Sequence, residues 1–395
     1  MKILQVIPYF PPAYAFGGPV TGAYLLSREL VRRGHEVTVY TTNAYNLSSK
    51  INIPFYRTLD GINVYSFNNL SMIPVKYSKL FITPNLIPFT FKDIKNYDII
   101  HLHEYRTFQN VIVSFVSKHY RIPYILQANG SLDYLGRKIR KITFDLLWGY
   151  KILKNAAKLI ALTKFEAEQY RSFNIPYEKI VIIPSTFDAS KYEKLLPKGK
   201  FREKYNVGSD EKIVLYLGRI HKRKGIDILI EAFTQVIKKY HDVYLFIIGP
   251  DDGFQNQLQA LIKNCGIEHK VVLTGPRYGR EKLEALADAD IFVMPSRYEA
   301  FSRSLREAMA FGKPVIASDV GGLRDLIKNR ETGLLIEPGN IEQLQSAILY
   351  LLENPDKAKE MGQRGRKWIT SNFSIKKIVD AVEHLYEEAI DQKHI

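Results

Sequence analysis

The chain has 395 residues, of which 46% are hydrophobic and 25% are charged, and these values are typical of a globular protein with two domains. Its single cysteine, Cys265, excludes an intramolecular disulfide and a cysteine cluster for zinc or iron–sulfur, which fits the cytoplasm. The net charge is +15, and most of it lies in residues 1–195, which contain 25 Lys/Arg and 13 Asp/Glu. This excess of positive charge indicates an anionic partner. A lysine-rich proteome is the alternative explanation.

The N-terminal sequence MKILQVIPYFPP has one basic residue and a short apolar run, which indicates a first β-strand rather than a signal peptide. The longest uncharged apolar stretch, 80–91, contains two prolines and is shorter than the roughly 20 residues that a membrane helix requires. We therefore expect no membrane-spanning helix.

Strand and helix patterns alternate along almost the whole chain, with helical periods such as 20–33 and 108–119 between short β-branched runs. The candidate strands before residue 190 are 3–7, 37–42, 62–67, 98–103, 124–129, 158–163 and 180–185. After a charged, turn-rich stretch at 197–210, further candidate strands are 213–218, 243–249, 271–275, 291–296 and 314–319. This alternation predicts parallel sheets with helices on both faces.

The predicted fold class is therefore α/β, with two doubly wound Rossmann-like domains that face each other across a cleft. We assign residues 1–196 to the N-terminal domain and 197–374 to the C-terminal domain, with a hinge near 190–210. An amphipathic helix at about 375–395 is expected to pack back across the cleft. Because ligands bind at the carboxyl ends of parallel strands, functional residues should follow the strands directly.

The first candidate motif is the glycine loop FPPAYAFGGPV after the first strand. Gly17 and Gly18 permit backbone conformations that other residues avoid, and Pro19 suits the first turn of a helix. The N–H groups at that helix end would form an anion site, although a purely structural turn has the same signature. The chain has no G-x-G-x-x-G, which counts against the usual dinucleotide fingerprint.

The second motif is GRIHKRKG, directly after the strand at 213–218. The planar fork of Arg219 and the compact charge of Lys224 would suit a diphosphate. Solvated basic residues at an ordinary strand-to-helix junction are the alternative.

The third motif, SRYEAFSRSLREAMAFGKPVIASDVGG, places Glu299 and Glu307 eight residues apart. At about 100° per residue, a helix starting near Phe301 would aim both carboxylates toward the cleft, where they suit sugar hydroxyls. The backbone N–H groups of Phe301, Ser302 and Arg303 would suit phosphate. A surface helix with ordinary acidic residues is the alternative.

In this combination and order, the motifs make the chain resemble the retaining GT-B-fold glycosyltransferases of family 4 over essentially its full length. The matching segments are Gly17–Gly18, RGHEVTVYT (33–41), HLHE (101–104), Gly218–Arg219 with Lys224–Gly225, Glu299 with Glu307, EAMAFGKPVIASDVGG (307–322) and TGLLIEPG (332–339). Each piece alone is unspecific, whereas the set is specific.

The resemblance implies a hexosyltransferase that takes a nucleotide-diphosphate sugar and no cofactor; UDP- and GDP-sugars both fit. At the matching positions, Arg219 and Lys224 would bind the donor diphosphate. Glu299 would contact the transferred sugar, and Glu307 the nucleotide ribose. The other donor-binding candidates are Gly17, Gly18, Phe301, Ser302, Arg303 and, at the base, the main chain near Val271–Val272.

The chain departs from the family at Asn129, where many relatives carry a histidine beside the transferred sugar. Asn129 stays a catalytic candidate, since it donates and accepts hydrogen bonds, but it cannot carry a proton charge. His103 and Glu104 are acceptor-side candidates, with a structural histidine as the alternative. Arg303 and Arg306 replace residues that are often apolar, and would touch donor phosphates or the other domain, or be surface-exposed.

Cleaving a sugar–diphosphate bond leaves negative charge on phosphate, which fixed cations and N–H dipoles can stabilise without a metal. The chain shows no D-x-D after a strand, and Asp251–Asp252 is interpreted as a turn. The family resemblance implies front-face attack, in which the departing phosphate helps to take the acceptor's proton.

The acceptor is predicted to be a glycan or a polyprenyl-linked molecule, because the segment 134–158 resembles a basic amphipathic helix. It has seven Lys/Arg against one Asp, with a predicted stripe of Ile139, Ile142, Leu146, Gly149 and Leu153. Such a helix would lie on an anionic membrane surface, giving a cytoplasmic protein peripheral to the inner face of the membrane. A core-packed helix with solvated basic residues is the alternative.

Three other functional classes compete with this prediction. A transferase for a small soluble acceptor is the nearest. A nucleic-acid-binding protein is suggested only by the pI near 9.5, since no nucleic-acid motif is present, and we predict no nucleic-acid partner. A phosphorylase-like enzyme would need pyridoxal phosphate, whose lysine context is missing.

Overall fold

The structure is a computed structural model that describes residues 1–78, 80–192 and 195–391. The chain forms two compact units. Unit 1 consists of Met1–Asp188 and the C-terminal segment that begins at Phe373, and unit 2 is Ala189–Asn372. Each unit is a largely parallel sheet with helices, so the prediction of two doubly wound α/β domains is confirmed.

Unit 1 has one eight-stranded sheet within the described residues. Its strands are β1 (Lys2–Val6), β2 (Glu36–Thr42), β3 (Tyr56–Leu59), β4 (Ile62–Phe67), β5 (Ile99–His103), β6 (Tyr124–Gln127), β7 (Lys158–Ala161) and β8 (Ile180–Ile182). The order across the sheet is β3-β4-β2-β1-β5-β6-β7-β8, and every pair except β3–β4 is parallel. The central strands are buried, which explains their continuous apolar runs.

Helices cover this sheet, and the first of them begins at the glycine loop. They are α1 (Gly18–Arg32), α2 (Ile73–Ser78), α3 (Leu86–Asp93), α4 (Phe108–Tyr120), α5 (Lys138–Phe144), α6 (Tyr150–Asn155) and α7 (Lys164–Arg171). A π-helical turn, Asp145–Gly149, joins α5 to α6.

The prediction of a single helix over residues 134–158 is wrong in its bounds and in its continuity. Gly136 and Arg137 have left-handed backbone conformations, so the helix begins only at Lys138. The π turn interrupts it, α6 ends at Asn155, and Lys158 already belongs to β7.

Unit 2 has one six-stranded sheet in its described part, and all of its strand pairs are parallel. Its strands are β9 (Lys212–Leu217), β10 (Val243–Ile248), β11 (Val271–Gly275), β12 (Ile291–Met294), β13 (Val315–Ser318) and β14 (Leu334–Ile336). The order β11-β10-β9-β12-β13-β14 is that of a doubly wound nucleotide-binding sheet. In such a sheet the chain leaves β9 and β12 in opposite directions and opens a crevice between their carboxyl ends.

The helices of unit 2 alternate with these strands. They are α8 (Lys200–Tyr205), α9 (Ile226–Val236), α10 (Gln255–Asn264), α11 (Gly279–Asp288), α12 (Arg303–Ala310), α13 (Leu323–Leu326), α14 (Ile341–Glu353) and α15 (Pro355–Asn372).

The last helix, α16 (Ile375–Asp391), returns to unit 1 and packs against α1, β5 and β6. Its buried side chains recur at helical spacing and join the core that contains Ile3 and Ile99. Residues 392–395 of the predicted amphipathic helix lie outside the described residues.

No helix in the part of the chain that the structure describes has the length and apolar character needed to cross a bilayer.

Candidate active site

The crevice between β9 and β12 brings together two motifs that lie far apart in the sequence. The two strands are neighbours, with Leu215 opposite Phe292. Arg219 follows the end of β9, and Glu299 follows the end of β12. The topology therefore brings the GRIHKRKG and the glutamate motifs to one edge of the sheet.

Lys224 and Glu299 meet directly in this crevice. Lys224 ends a one-turn 3₁₀ helix, in which the imidazole of His221 accepts a hydrogen bond from the Arg223 N–H at 3.0 Å. Gly225 follows with φ +66°, and a Cβ on it would lie 2.0 Å from the Pro295 carbonyl oxygen. Only glycine allows this approach of the two loops, which leaves Lys224 Nζ 2.5 Å from Glu299 Oε2.

Arg219 is half-exposed and forms an ion pair with Asp252. The preceding residue, Asp251, accepts hydrogen bonds from the backbone N–H groups of Gly253, Phe254 and Gln255 at 3.0, 3.1 and 3.0 Å. These bonds lower the pKa of the Asp251 carboxyl, and the bond from the Gln255 N–H has the largest effect. Asp251–Asp252 thus shapes a turn, as interpreted from the sequence, and supplies the carboxylate that holds Arg219.

Helix α12 begins at Arg303, two residues later than predicted from the glutamate spacing. Ser302 is its N-cap, and the Ser302 hydroxyl accepts a hydrogen bond from the Leu305 N–H at 3.3 Å. Glu299 and Phe301 therefore precede the helix. The helical spacing that was used to aim both carboxylates at the cleft therefore does not apply to Glu299, whose position comes from the loop before α12.

Glu307 lies within α12 and is buried. Lys282 Nζ donates to its two carboxylate oxygens at 2.8 and 2.9 Å, and the Tyr192 hydroxyl donates to one of them at 3.2 Å. Burial and the adjacent Glu307 carboxylate raise the pKa of Tyr192. Sequence reasoning missed Lys282 and Tyr192, because nothing distinguishes one lysine in the charged helix GREKLEALAD.

Arg306 is fully buried, which excludes its predicted surface exposure. Its guanidinium carbon lies 4.2 Å from the centre of the Phe301 ring, and its Nε donates to the Ser302 carbonyl at 3.4 Å. Burial lowers the pKa of both Arg303 and Arg306. The two arginines thus add positive charge around the first turn of α12.

Val272, the candidate for contact with the base, is half-buried on the outer strand β11 and pairs with Phe246 of β10.

The corresponding edge of unit 1 lies between β1 and β5. Gly17 has φ +86° and caps α1, which starts at Gly18. His103 ends β5, and Glu104 follows it with φ +66°. The glycine loop and the HLHE motif therefore come to one edge of this sheet.

His103 belongs to a buried polar network. His103 Nε2 lies 2.6 Å from Gln5 Oε1, and His101 Nδ1 lies 2.8 Å from the hydroxyl of Tyr386 on α16. Gln5 also donates to Tyr386, at 2.9 Å. Burial lowers the pKa of His103 to about 3, so its imidazole is neutral at physiological pH. This bonding favours the structural interpretation of His103.

Asn129 follows β6 with φ +55°. Its Oδ1 accepts a hydrogen bond from Gln127 Nε2 at 2.8 Å, while its buried amide nitrogen has no partner among the described residues. The next peptide is fixed by Glu166, which accepts from the N–H groups of Gly130 and Leu162 at 2.5 and 2.7 Å. Burial raises the pKa of Glu166 to about 7.

Sequence reasoning missed Glu166, although a signal for it exists. Thr163 and Glu166 have the spacing of a helix capping box, and the Thr163 hydroxyl accepts from the Glu166 N–H at 3.1 Å.

Within residues 1–78, 80–192 and 195–391, no three His, Cys, Asp or Glu side chains are grouped so that they could hold a metal ion.

Two family models match the chain. The model of group 1 glycosyl transferases matches residues 197–368, and that of glycosyltransferase family 4 matches residues 16–191. The chain is 29% identical to an uncharacterized glycosyltransferase of Methanocaldococcus jannaschii, with 99% of each chain covered. It is 25% identical to the N-acetyl-alpha-D-glucosaminyl L-malate synthase of Bacillus anthracis, over 99% of this chain and 98% of that protein.

A solved structure has a similar fold. HepE of Anabaena in complex with UDP-glucose aligns with a TM-score of 0.78 at 20% sequence identity, over 98% of this chain and 100% of that chain.

Proposed function

Because this chain belongs to the group 1, family 4 glycosyltransferases, hexosyltransferases of the GT-B fold, we propose that it transfers a sugar from a UDP- or GDP-sugar with retention and without a metal ion. The acceptor is a glycan or a lipid-linked molecule. One observation carries the donor part of this proposal: Lys224 and Glu299 converge at the crevice between β9 and β12.

The donor diphosphate would lie at this crevice, between Arg219, Lys224 and the first turn of α12. Both cations have carboxylate partners, Asp252 and Glu299. A diphosphate carries more charge than either carboxylate and would replace Asp252 as the partner of Arg219. Lys224 would then bridge the phosphate and Glu299, which brings the carboxylate to the hydroxyls of the transferred sugar.

Glu307 would bind the ribose, since carboxylate oxygens accept hydrogen bonds from the two ribose hydroxyls. Lys282 holds the Glu307 carboxylate through both oxygens, so its orientation is fixed before the donor binds. Such preorganisation reduces the ordering cost of donor binding.

In the reaction, the acceptor hydroxyl attacks the anomeric carbon from the face that the diphosphate leaves. The new C–O bond forms as the bond to phosphate breaks, and the acceptor's proton passes to the departing phosphate oxygen. Arg219 and Lys224 stabilise the charge that grows on that phosphate.

A thermal-shift screen with UDP, GDP, UDP-glucose and GDP-mannose tests the donor proposal, since a bound donor raises the apparent stability. We expect a shift with one nucleotide series, and slow donor hydrolysis that EDTA leaves unchanged. No shift with any of the four, or activity that EDTA abolishes and magnesium or manganese restores, would contradict the proposal.

The lipid-linked acceptor is supported by one surface of unit 1, which we call the α5–α6 surface. Its apolar side chains are exposed, with Ile139 at 81% and Leu146 at 70% of full exposure. The exposed apolar residues here are Leu135, Ile139, Ile142, Leu146, Leu147, Trp148 and Tyr150. Basic residues are interspersed with them along the chain: Arg137, Lys138, Arg140, Lys141, Lys151 and Lys154.

The predicted stripe of this segment is wrong at two positions, because Gly149 and Leu153 are buried while the rest of the stripe is exposed. A Cβ on Gly149 would lie 2.3 Å from the Tyr105 hydroxyl, which requires glycine there. The buried Asp145 accepts two hydrogen bonds from Arg106, at 2.9 and 2.7 Å, and anchors the π turn. The anchored turn leaves Leu146 facing solvent.

Exposed apolar side chains interspersed with cations suit an anionic bilayer, into whose interface the apolar groups insert while the cations contact headgroups. We therefore infer a protein peripheral to a membrane, acting on a lipid-linked acceptor. A small soluble acceptor is the second candidate, favoured by the similarity to the L-malate synthase over 98% of that relative.

A further inference from the structure

Unit 2 contains a cavity at the edge of its sheet opposite to the proposed donor site. The cavity has a volume of about 460 Å³, within the roughly 300–1,000 Å³ of small-molecule pockets. Lys212, Ile291 and Pro314, at the amino ends of β9, β12 and β13, line it. Arg219 and Glu299 follow the carboxyl ends, one strand length of roughly 17 Å away at about 3.3 Å per residue. The two sites are therefore distinct.

The wall of this cavity is strongly positive. Lys198, Lys212, Lys313 and Lys359 line it, and none of them forms an ion pair with any residue that the structure describes. The carboxylate of the lining is Asp290, which is already held by Arg202 at 2.7 Å and by the Ile213 N–H at 2.8 Å. Asp290 and the neighbouring Asp288 offset part of the positive charge on Lys313, but two carboxylates do not balance four ammonium groups.

Lys313 is the most informative of these residues, because only 7% of it is exposed. Its Nζ donates to the Ala287 carbonyl at 2.6 Å, which uses one of its three N–H groups. The pKa of Lys313 is lowered to about 8, mainly by burial and to a smaller extent by the nearby positive charge of Lys198. A buried ammonium that faces a cavity is stabilised by an anion within that cavity.

Apart from Gln363 and Arg366, the remaining wall is apolar. It comes from the β12 residue Ile291, from Phe311 after α12, and from Leu351, Leu352 and Ala358 of α14 and α15. We propose that this cavity is a second ligand site, which binds a small anion with a phosphate group on a short apolar body. The phosphate lies against Lys313 and Lys198, and the apolar body lies on Phe311 and Leu352. This inference is independent of the proposed function.

Calorimetric titration with hexyl phosphate and with inorganic phosphate tests the site in the full chain. We expect hexyl phosphate to bind at least tenfold tighter than inorganic phosphate, because the apolar wall adds to the charge attraction. Lys313→Met should weaken hexyl phosphate binding at least tenfold. Lys224→Ala, at the donor crevice, and Lys263→Met, on the exposed face of α10, should leave it unchanged.

Equal binding by Lys313→Met and the wild type would overturn the proposal, as would loss of binding in Lys224→Ala, which would place the phosphate at the donor crevice. If Lys313→Met does not fold, the exposed rim provides a second variant, Lys198→Gln/Lys359→Gln, whose affinity should fall severalfold. Unchanged affinity in this variant would also overturn the proposal.

The titration of Lys313 gives a readout besides affinity. By NMR of its side chain, bound hexyl phosphate should raise the Lys313 pKa from about 8 toward the ordinary lysine range. An unshifted pKa at saturating ligand would contradict the site. Titration with dihexanoyl phosphatidic acid separates the two ligand sources. Tighter binding than that of hexyl phosphate would assign the cavity to a lipid headgroup. Weaker binding would assign it to a soluble phosphate ester.

Discussion

Lys224 Nζ lies 2.5 Å from Glu299 Oε2, although 75 residues separate the two in the chain. The pair joins the loop after β9 to the loop after β12 at the crevice of unit 2. In the proposed mechanism Lys224 binds the diphosphate, and Glu299 binds the sugar that leaves it. The two groups therefore hold each other in place before the donor arrives, and a substitution of either changes the charge that its partner presents.

Removal of either proposed phosphate cation should reduce catalysis strongly. We expect Arg219→Ala and Lys224→Ala each to lower kcat/KM by roughly 10²–10³, because the charge they stabilise grows in the transition state. Lys222→Ala is a matched control, since its side chain is exposed on the same 3₁₀ turn. Near-normal turnover in both variants, with unchanged circular dichroism, would mean that the phosphate lies elsewhere.

The two glutamates should separate in their kinetic effects. Glu307→Gln should chiefly raise the donor KM and weaken binding of free UDP or GDP, because ribose contacts are similar in ground and transition states. Glu299→Gln should chiefly lower kcat. It should not weaken nucleoside diphosphate binding, since that ligand lacks the sugar and Lys224 would lose its carboxylate partner.

Calorimetry with the bare diphosphate distinguishes these outcomes. The assignment of roles is reversed if Glu299→Gln loses diphosphate affinity while Glu307→Gln retains it.

The α5–α6 surface should bind anionic vesicles through its basic residues, each of which contributes on the order of 1 kcal/mol near the bilayer. Changing Lys138, Arg140, Lys151 and Lys154 to Gln should release the protein from vesicles of phosphatidylglycerol and phosphatidylcholine and leave donor binding intact. Lys141 is kept, because it bonds Asp133 at 2.9 Å and supports the fold.

A control with equal charge loss changes four exposed lysines of unit 2 to Gln: Lys238, Lys239, Lys263 and Lys367. Vesicle sedimentation should show that the control still binds. Equal release of both variants, or no binding by the wild type, would favour the soluble acceptor.

Glu166 should make unit 1 less stable as pH rises. Burial raises its pKa from 4.5 to about 7, so the folded chain binds this proton more tightly than the unfolded chain. The stability from this group is full below pH 4.5 and is lost as pH rises to about 7, by on the order of 3 kcal/mol at 1.36 kcal/mol per pKa unit.

Glu166→Gln cannot ionise, so this part of the pH dependence should disappear, although one backbone hydrogen bond is lost at every pH. Urea unfolding of the wild type and the variant between pH 5 and 8 measures the difference. Glu168→Gln, exposed on the same helix, should follow the wild type. Parallel curves for the wild type and Glu166→Gln would show that Glu166 ionises at its ordinary pH.

Local patterns predicted most of this fold, since strands of five or six residues such as β1, β4 and β11 contain enough β-branched and apolar residues to be recognised from the sequence. The short strands β3 and β14 were missed, because four and three residues hold too little pattern. The start of α12 was misplaced by the glutamate spacing, although Ser302 signals an N-cap. Lys282, the partner of Glu307, depends on packing between elements and leaves almost no trace in a single sequence. The capping-box spacing reveals Glu166 as a helix-start residue, but not its bond to the Gly130 N–H.

Unit 1 is closed by α16, whose Tyr386 hydroxyl bonds both Gln5 and His101. The ribosome makes the first 188 residues of this unit well before it makes that helix. At roughly 5–20 residues per second, the wait lasts about 10–40 s, during which Gln5 and the apolar surface beneath α16 lack their partner. Unit 2 emerges complete in that interval and can fold first. Unit 2 can thus complete its fold before unit 1, and the unfinished unit 1 exposes apolar surface during that interval, when a chaperone would protect the nascent chain from aggregation.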